Sequence, residues 1–134
     1  MAYLKPSGFV TSVVNKIAMK VGAFGVITLV VPRRSGGDVQ EVPVIPVDHG
    51  GGRYVVSTRG ESEWVRNLRR SGRGELRDRK GAVTAVSAAE VAVADRPPII
   101  DAYRKKAGRE VNGYFKKLPD PADHPVFRLD AGAA

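Results

Sequence analysis

Short apolar runs separated by glycine-rich turns constrain the fold of this chain more than any other feature of its sequence. Residues 26–31 form a continuous β-branched run, which is typical of a strand buried on both faces. Residues 32–38 have the composition of a turn, and residues 39–47 form the next predicted strand. Glycines at 50–52 separate that strand from a third, predicted over residues 53–58. Three strands joined by such turns predict an antiparallel meander.

Helices and further strands alternate along the rest of the chain. Glutamates open a predicted helix over residues 61–71 and arginines close it, which suits the helix dipole, and Gly72 stands at its stop. The remaining predicted elements are a helix over 7–21, strands over 75–79, 82–94 and 125–129, a helix over 99–106, a helical turn over 110–117 and a frayed tail at 130–134. About six strands with helices at the corners predict one mainly β domain over residues 1–134. We expect a small, partly open β-barrel, because closure removes sheet edges.

The charge balance favours an anionic ligand or surface. The 134 residues include 22 lysines and arginines against 14 aspartates and glutamates, a formal net charge of +8. Such a chain attracts nucleic acid, an acidic membrane surface, or a phosphorylated or carboxylated small molecule. Aromatic residues make up only 7% of the chain, which disfavours a nucleic-acid partner read by base stacking. The absence of cysteine excludes disulfides, thiolate zinc sites and cysteine nucleophiles, and with only two histidines no metal site is predicted.

The distribution of apolar residues predicts a cytoplasmic protein. The longest apolar run, residues 24–32, is too short to span a bilayer, and no signal-peptide pattern is present. The helix predicted over residues 7–21 is apolar on one face and carries lysines on the other. Two alternatives follow for this helix: it packs on the domain, or it lies at the inner face of the cell membrane against anionic lipid.

A turn rich in arginine and glycine is the first candidate anion site. Arg33, Arg34 and Ser35 are followed by Gly36 and Gly37. Guanidinium groups hold phosphate with paired hydrogen bonds, and glycine lets backbone N–H groups converge on an anion. The alternative is a solvated hairpin tip whose glycines serve only the geometry of the turn.

A second candidate lies where the third predicted strand leads into the helix over residues 61–71. Residues 57–60 supply a serine, a threonine, an arginine and a glycine immediately before that helix. A helix N-terminus that follows such a turn attracts anions. Two glutamates in the first helical turn compete for the same positive end.

One face of that predicted helix combines apolar side chains with an amide. Trp64, Asn67 and Leu68 share this face, since they are spaced i, i+3 and i+4. A buried Asn67 needs hydrogen-bond partners, so it either bonds a neighbouring loop or bonds a ring carbonyl of a ligand. Neither His49 nor His124 has an evident catalytic partner, and both are expected at the surface or in a structural role.

Taken in order, these pieces resemble the deazaflavin-dependent nitroreductase family. The shared pattern is a basic turn of the type Gly-Arg-Lys/Arg-Ser/Thr-Gly, a strand with proline, a strand that ends in Ser-Lys/Arg-Gly, and a helix that starts Trp-x-x-Asn-Leu. The similarity runs over residues 9–129 and implies a split β-barrel that uses the 5-deazaflavin coenzyme F420. Asp38, Val39 and Gln40 stand where family members often carry a Pro-Arg pair. These differences resemble a branch of the family that is associated with membranes and with fatty-acid binding. The apolar helix predicted near the start of the chain agrees with that branch.

The resemblance implies a cofactor site drawn from the two turns, the proline-bearing strand and the short helix. Its members are Arg33, Arg34, Ser35, Gly36, Pro43, Val44, Ser57, Thr58, Arg59, Trp64 and Asn67. The first turn would hold the cofactor phosphate or its glutamyl tail, and the second would face the phosphoribityl group. The strand would place its backbone beside the deazaflavin, and Trp64 and Asn67 would lie near the ring.

The function that the resemblance implies is hydride transfer from reduced coenzyme F420 to a small, electron-poor substrate such as a quinone, an enone or a nitro compound. The proton would come from solvent or from a tyrosine, for which Tyr103 and Tyr114 are the candidates. Tyr114 is preferred as the catalytic residue, and helix packing is the alternative for both. The alternatives for the cofactor are FMN and no cofactor. Without a cofactor, the same barrel would be a non-catalytic carrier of a fatty acid or another amphiphile.

Overall fold

A single antiparallel sheet dominates residues 26–131, the part of the chain that the computed structural model describes. In chain order the elements are β1 (Ile27–Pro32), β2 (Val39–Val44), β3 (Val47–His49), β4 (Gly52–Val56), α1 (Glu63–Ser71), β5 (Arg73–Arg77), β6 (Val83–Glu90), α2 (Arg96–Ala107), α3 (Asn112–Lys117) and β7 (Val126–Ala131). Short 3-10 turns precede α2, α3 and β7, at Val93–Asp95, Arg109–Val111 and Pro121–Asp123. The helix predicted over residues 7–21 lies outside the described residues, as do residues 132–134 of the predicted tail.

The order of the strands forces this sheet to curl. The order is β2-β1-β5-β6-β7-β4-β3, and every pairing is antiparallel. In a flat sheet, six inter-strand spacings of about 4.8 Å would place β2 and β3 roughly 29 Å apart. Only Ile45 and Pro46 connect these strands, and such a link spans at most about 11 Å. The two edges therefore approach each other at the open seam of a split β-barrel, the predicted fold, which has seven strands rather than about six.

The chain crosses this seam where the sequence predicts one continuous strand. The strand expected over residues 39–47 is interrupted at the buried Ile45 and Pro46, and Lys106 Nζ donates a hydrogen bond to the Pro46 carbonyl. Pro46 has no N–H and cannot extend a ladder of backbone hydrogen bonds. The prediction of a meander is therefore wrong, because β4 pairs with β7 and β3 and not with β2.

β6 is shorter than the strand that the sequence predicts over residues 82–94. It ends at Glu90, and the last backbone hydrogen bond along this edge runs from the Val91 N–H to the Val126 carbonyl. Because β7 begins at Val126, the chain beyond Val91 has no neighbouring strand there and forms the 3-10 turn Val93–Asp95 instead.

β7 extends further than the sequence predicts. Asp130 pairs with Ser87 and Ala131 pairs with Val86, so both belong to the sheet. Part of the tail expected to fray over residues 130–134 is therefore held by backbone pairing.

Two apolar cores lie on opposite faces of the sheet. The core beneath α1 contains Leu29, Val31, Val55, Trp64, Val65, Leu68, Leu76, Val86, Phe127 and Leu129. The core beneath α2 and α3 contains Ile45, Val47, Val56, Ile99, Ile100, Tyr103, Ala107, Val111, Tyr114, Phe115 and Val126. Successive residues of β4, Val55 and Val56, belong to different cores because side chains alternate across a strand. Each fully buried apolar side chain contributes about 1.5–3 kcal/mol, so these contacts fix the helices on the sheet.

A chain of ion pairs further fixes α1. Arg69 donates to both carboxylate oxygens of Glu61, at 2.6 and 2.9 Å, and to both oxygens of Glu90, at 2.8 and 2.9 Å. Glu90 also accepts a hydrogen bond from the buried Arg96 at the start of α2. The hydrogen bond from Arg69 holds the pKa of Glu61 below its usual range. Arg69, expected from the sequence to complement the helix dipole, therefore also joins α1 to β6.

Candidate functional site

A partly enclosed pocket of about 140 Å³ lies between the C-terminal ends of β2 and β4 and the three helices. Its apolar walls include Val42, Ile45, Val56, Trp64 and Val111. Its polar groups come from Ser57, Thr58, Arg59, Tyr103 and Tyr114. Apolar walls with a few convergent polar groups are typical of a small-molecule site.

The residues predicted to bind a cofactor fall into two groups in space. The group that lines the pocket contains Pro43, Val44, Ser57, Thr58, Arg59 and Trp64, together with the predicted catalytic residue Tyr114. The group that lies outside the pocket lining contains Arg33, Arg34, Ser35, Gly36 and Asn67. The second group consists of the β1–β2 connection and one residue of α1.

The pocket turn, residues 57–60, is held by buried contacts. Ser57 Oγ donates to the Gly60 carbonyl at 2.7 Å, and the Ser57 N–H donates to the Pro125 carbonyl at 2.9 Å. Gly60 has a φ of +81°, a conformation that favours glycine. This rigid turn presents the half-buried Arg59 as a cation at the edge of the pocket.

His124 supports the pocket turn, a contact that the sequence does not predict. The ring is 1% exposed, its Nδ1 lies 2.8 Å from the Ser57 carbonyl oxygen, and its Nε2 faces the Leu118 carbonyl oxygen. The ring also packs on Phe115, with centroids 4.3 Å apart. Ser57 is 67 residues away in the chain, so no local pattern marks this contact. His49, by contrast, is exposed in β3.

Two tyrosines bring phenol groups to the pocket. Tyr103 and Tyr114 both line it, and both are buried. Burial raises the pKa of each phenol above the usual 10.0, and the nearby Arg59 opposes part of this rise at Tyr114. Both phenols are protonated at neutral pH, as an ordinary tyrosine is, and the raised pKa makes each a weaker acid. Tyr114 is able to donate a hydrogen bond.

The arginine turn, residues 33–37, lies at the tip of the β1–β2 hairpin. Arg33 Nε forms an ion pair with Asp38 Oδ2 at 3.2 Å, and Arg34 Nη2 donates to Glu63 Oε1 on α1 at 3.1 Å. The arginine side chains are 40% and 38% exposed, and the carboxylates are more exposed still. Exposed ion pairs contribute at most about 1 kcal/mol, so an incoming anion can replace either carboxylate at little cost.

The helix predicted from residue 61 begins at Glu63, and both Glu63 and the preceding Glu61 are engaged by arginines. Glu61 is buried against Arg69, and Glu63 is paired with Arg34. The competition that the sequence predicts between these carboxylates and an anion at the helix N-terminus is therefore reduced by charge compensation within the protein.

Asn67 is fully buried and binds the hairpin. Its Oδ1 accepts the Arg34 N–H at 3.1 Å, and its Nδ2 donates to Gln40 Oε1 at 2.9 Å. Trp64, on the same face of α1, lines the pocket and packs near Phe127, with ring centroids 6.2 Å apart. Of the two alternatives for Asn67, the structure therefore has the contact with a neighbouring loop.

Comparison with solved structures finds the same split-barrel fold. The chain matches an F420-H2 dependent reductase at a TM-score of 0.59, with 18% identity over 78% of this chain and 93% of that one. It matches a candidate 5-nitroimidazole antibiotic resistance protein from Bacteroides thetaiotaomicron at a TM-score of 0.57, with 9% identity over 89% of this chain and 80% of that one. It matches the heme storage protein HutZ from Vibrio cholerae at a TM-score of 0.59, with 14% identity over 88% of this chain and 92% of that one. Likeness at these identities shows the fold alone.

The remaining comparisons do not identify a family for this chain. Two further matching structures are longer proteins, and the chain covers 55% of each. No family model matches the chain, and no curated protein does.

Two kinds of feature are absent from residues 26–131. No helix in that range is long and apolar enough to cross a membrane. In the same range, no group of three or more His, Cys, Asp or Glu side chains could hold a metal ion.

Proposed function

We propose that this chain is a reductase that binds coenzyme F420, with the deazaflavin ring in the pocket and the acidic tail at the arginine turn. The substrate would be a small electron-poor molecule such as a quinone, an enone or a nitro compound. The position of α1 carries the proposal, because Trp64 forms a wall of the pocket and the preceding Glu63 holds Arg34 at 3.1 Å. One helix thus joins an apolar pocket to a turn with two arginines.

The residues around the pocket fit the chemistry of this ligand. The apolar walls suit an aromatic ring, and the open side of the pocket lets a longer tail leave it. Thr58 and Arg59 would face the phosphoribityl group, where a guanidinium binds phosphate with two parallel hydrogen bonds. Arg33 and Arg34 would exchange their exposed carboxylate partners for the phosphate or glutamyl carboxylates. The formal net charge of +8 supports the same class of ligand.

The pocket also has a proton donor for reduction. When bound in its reduced form, the coenzyme supplies a hydride, which carries two electrons. A reduced quinone, enone or nitro product then needs a proton, and Tyr114, which lines the pocket and is protonated at neutral pH, would donate one. The walls of the pocket would orient the substrate and exclude water.

Heme binding, suggested by the name of HutZ, has less support from the residues of this chain. The chain has two histidines, and neither lines the pocket. His49 is exposed in β3, and both ring nitrogens of His124 face backbone carbonyls. A tyrosine is the axial ligand that remains near the pocket.

A carrier for a fatty acid or another amphiphile is the second candidate function. Arg59 lines the pocket, whereas the two arginines of the arginine turn do not. A carboxylate at Arg59 with an apolar tail along the walls would therefore need no cation outside the pocket. This function requires no cofactor.

A fluorescence titration separates these candidates. We expect saturable binding of coenzyme F420 at a low-micromolar Kd that weakens with added salt, since exposed charges are screened over roughly 8 Å at physiological ionic strength. FMN and a long-chain fatty acid are titrated in parallel under the same buffer conditions. Saturation by the fatty acid without any binding of coenzyme F420 would establish the carrier, and saturation by FMN alone would identify an ordinary flavin protein.

A further inference from the structure

α1 holds Arg34 at two separate points, one buried and one exposed. The buried contact is the hydrogen bond from the Arg34 N–H to Asn67 Oδ1, and Asn67 has no solvent exposure. The exposed contact is the ion pair between the Arg34 guanidinium and Glu63, one helical turn before Asn67. Water and salt compete with the ion pair far more than with the buried hydrogen bond.

Asn67 also binds the other side of the hairpin. Its Nδ2 donates to Gln40 Oε1 on β2, while Arg34 follows β1. One buried amide therefore links the two sides of the arginine turn and sets its position on the helix. The helix is itself fixed by the buried Val65 and Leu68 in the core.

We infer that Asn67 is a positioning residue for anion binding at the arginine turn. It fixes the backbone of Arg34 while leaving the guanidinium free to exchange Glu63 for a phosphate or carboxylate of the ligand. Asn67 lies three residues after Trp64, which corresponds to about 5 Å along the helix axis. The identity of the ligand rests on the proposed function, whereas the positioning of Arg34 does not.

The test compares Asn67→Leu, which removes both hydrogen bonds, with Asn67→Asp, which keeps an acceptor for the Arg34 N–H. Val65→Ala is the matched control, because Val65 is fully buried in the same helix and does not bind the arginine turn. Each variant is studied well below its melting temperature, so that changes in folded population do not enter. Asn67→Asp keeps the inference testable if Asn67→Leu fails to fold.

Three readouts distinguish positioning from a general structural contribution. We expect Asn67→Leu to remove the exchange protection of the Arg34 amide, to raise the Kd for coenzyme F420 about tenfold and to lower its salt dependence. The Kd for a deazaflavin that lacks the phosphate and glutamyl tail should stay unchanged. Asn67→Asp should keep the protection, and Val65→Ala should match the unsubstituted chain in all three readouts.

A titration with pyrophosphate tests the inference without the coenzyme. In the unsubstituted chain, pyrophosphate should shift the NMR signal of the Arg34 amide, and Asn67→Leu should abolish the shift. If the chain binds no deazaflavin but shows this behaviour, the proposed function fails and the inference stands. If pyrophosphate leaves Arg34 unperturbed, or perturbs it equally in Asn67→Leu, the inference is wrong whatever the coenzyme does.

Discussion

The arginine turn and the pocket turn share a composition but not an environment. Each contains arginine, serine and glycine, and each follows a buried strand. The arginine turn is exposed and its arginine side chains are paired with exposed carboxylates, whereas the pocket turn is held by Ser57, Gly60 and His124 through buried hydrogen bonds. Two turns of similar composition therefore differ in burial and in how firmly they are held.

In the proposed function, this difference would give the two turns different parts of the ligand. Buried hydrogen bonds are strengthened by the low local dielectric, so the pocket turn keeps one shape and, in the proposed function, would hold the phosphoribityl group in one position beside the ring. Exposed ion pairs exchange readily, so the arginine turn suits a flexible acidic tail. Substitutions in the two regions should accordingly change different properties of the protein.

Loss of the buried support beneath the pocket turn should have the largest effect. His124→Leu leaves the carbonyl oxygens of Ser57 and Leu118 without their ring partner in a buried place. We expect the free energy of unfolding to fall by about 2–5 kcal/mol, measured by urea denaturation. His49→Leu, at an exposed position, is the control and should change stability by no more than about 0.5 kcal/mol. Equal effects would show that the pocket turn needs no support from His124.

Removal of the pocket phenol should affect turnover rather than binding. Tyr114→Phe keeps the ring and removes the proton donor, so kcat for reduction with reduced coenzyme F420 should fall about a hundredfold while Kd stays constant. Steady-state kinetics and the fluorescence titration measure the two quantities. The control is Tyr54→Phe, because Tyr54 does not line the pocket. An unchanged kcat would remove Tyr114 from catalysis and leave it as a packing residue.

Loss of charge in the arginine turn should affect binding rather than turnover. Arg34→Ala removes a charge-assisted hydrogen bond worth about 1.5–3 kcal/mol, so the Kd for coenzyme F420 should rise at least tenfold. Arg70→Ala removes the same charge late in α1, on the exposed side of the helix. Calorimetric titration of both variants gives the comparison. Small and equal changes would make the arginine turn a solvated hairpin tip.

Acid should weaken the ion pairs of α1 beside the pocket turn. The pKa of Glu61 is lowered in the folded chain by its hydrogen bond with Arg69, so this carboxylate adds stability above its unfolded pKa of about 4.5 and loses it as the pH falls through the lower folded value. Glu61→Gln should cost about 1 kcal/mol at neutral pH and should flatten the fall in stability below pH 4.5. Urea denaturation across this pH range measures how the free energy of unfolding changes with pH in the unsubstituted chain and in Glu61→Gln. The same pH dependence in both would contradict the contribution assigned to Glu61.

The smallest effect is expected at the exposed ion pair of the arginine turn. Asp38→Ala removes the partner of Arg33, which should change stability by no more than about 0.5 kcal/mol. Affinity for coenzyme F420 should rise a few-fold, because a carboxylate that competes with the ligand is lost. Asp48→Ala, which breaks the exposed pair with Arg53 in the β3–β4 hairpin, should leave affinity unchanged. A loss of affinity in Asp38→Ala would show that Asp38 orders the arginine turn for binding.

Local signals predict most of the elements, and seven of the twelve residues that the resemblance assigns to a site line the pocket. The β-branched run at β1 is a strand, and α1 ends at Gly72, whose φ is +67° and whose N–H binds the Leu68 carbonyl. Pro43, Val44 and residues 57–59, which the resemblance assigns to a cofactor site, line the pocket, and their binding of a cofactor stays a prediction. The predictions of the elements succeed because propensity, glycine conformation and side-chain alternation act over a few residues.

Local signals do not predict the hydrogen-bond partners of Asn67 and His124. Asn67 binds Gln40 and Arg34, which lie 27 and 33 residues away, and His124 binds Ser57 across 67 residues. A helical face predicts that Asn67 is buried, but burial alone does not choose between a ligand and a hairpin.

The sequence by itself determined most of the strands and helices, the end of α1 at Gly72 and how much positive charge the chain carries. Only the tertiary structure decided that the chain crosses the seam at Ile45 and Pro46 and that β4 pairs with β7. It also decided that the pocket turn lines a pocket while the arginine turn lies outside it. The physical reason is that strand order depends on which distant edges bury the most apolar surface together. That choice is made by all seven strands at once, and no single segment encodes it.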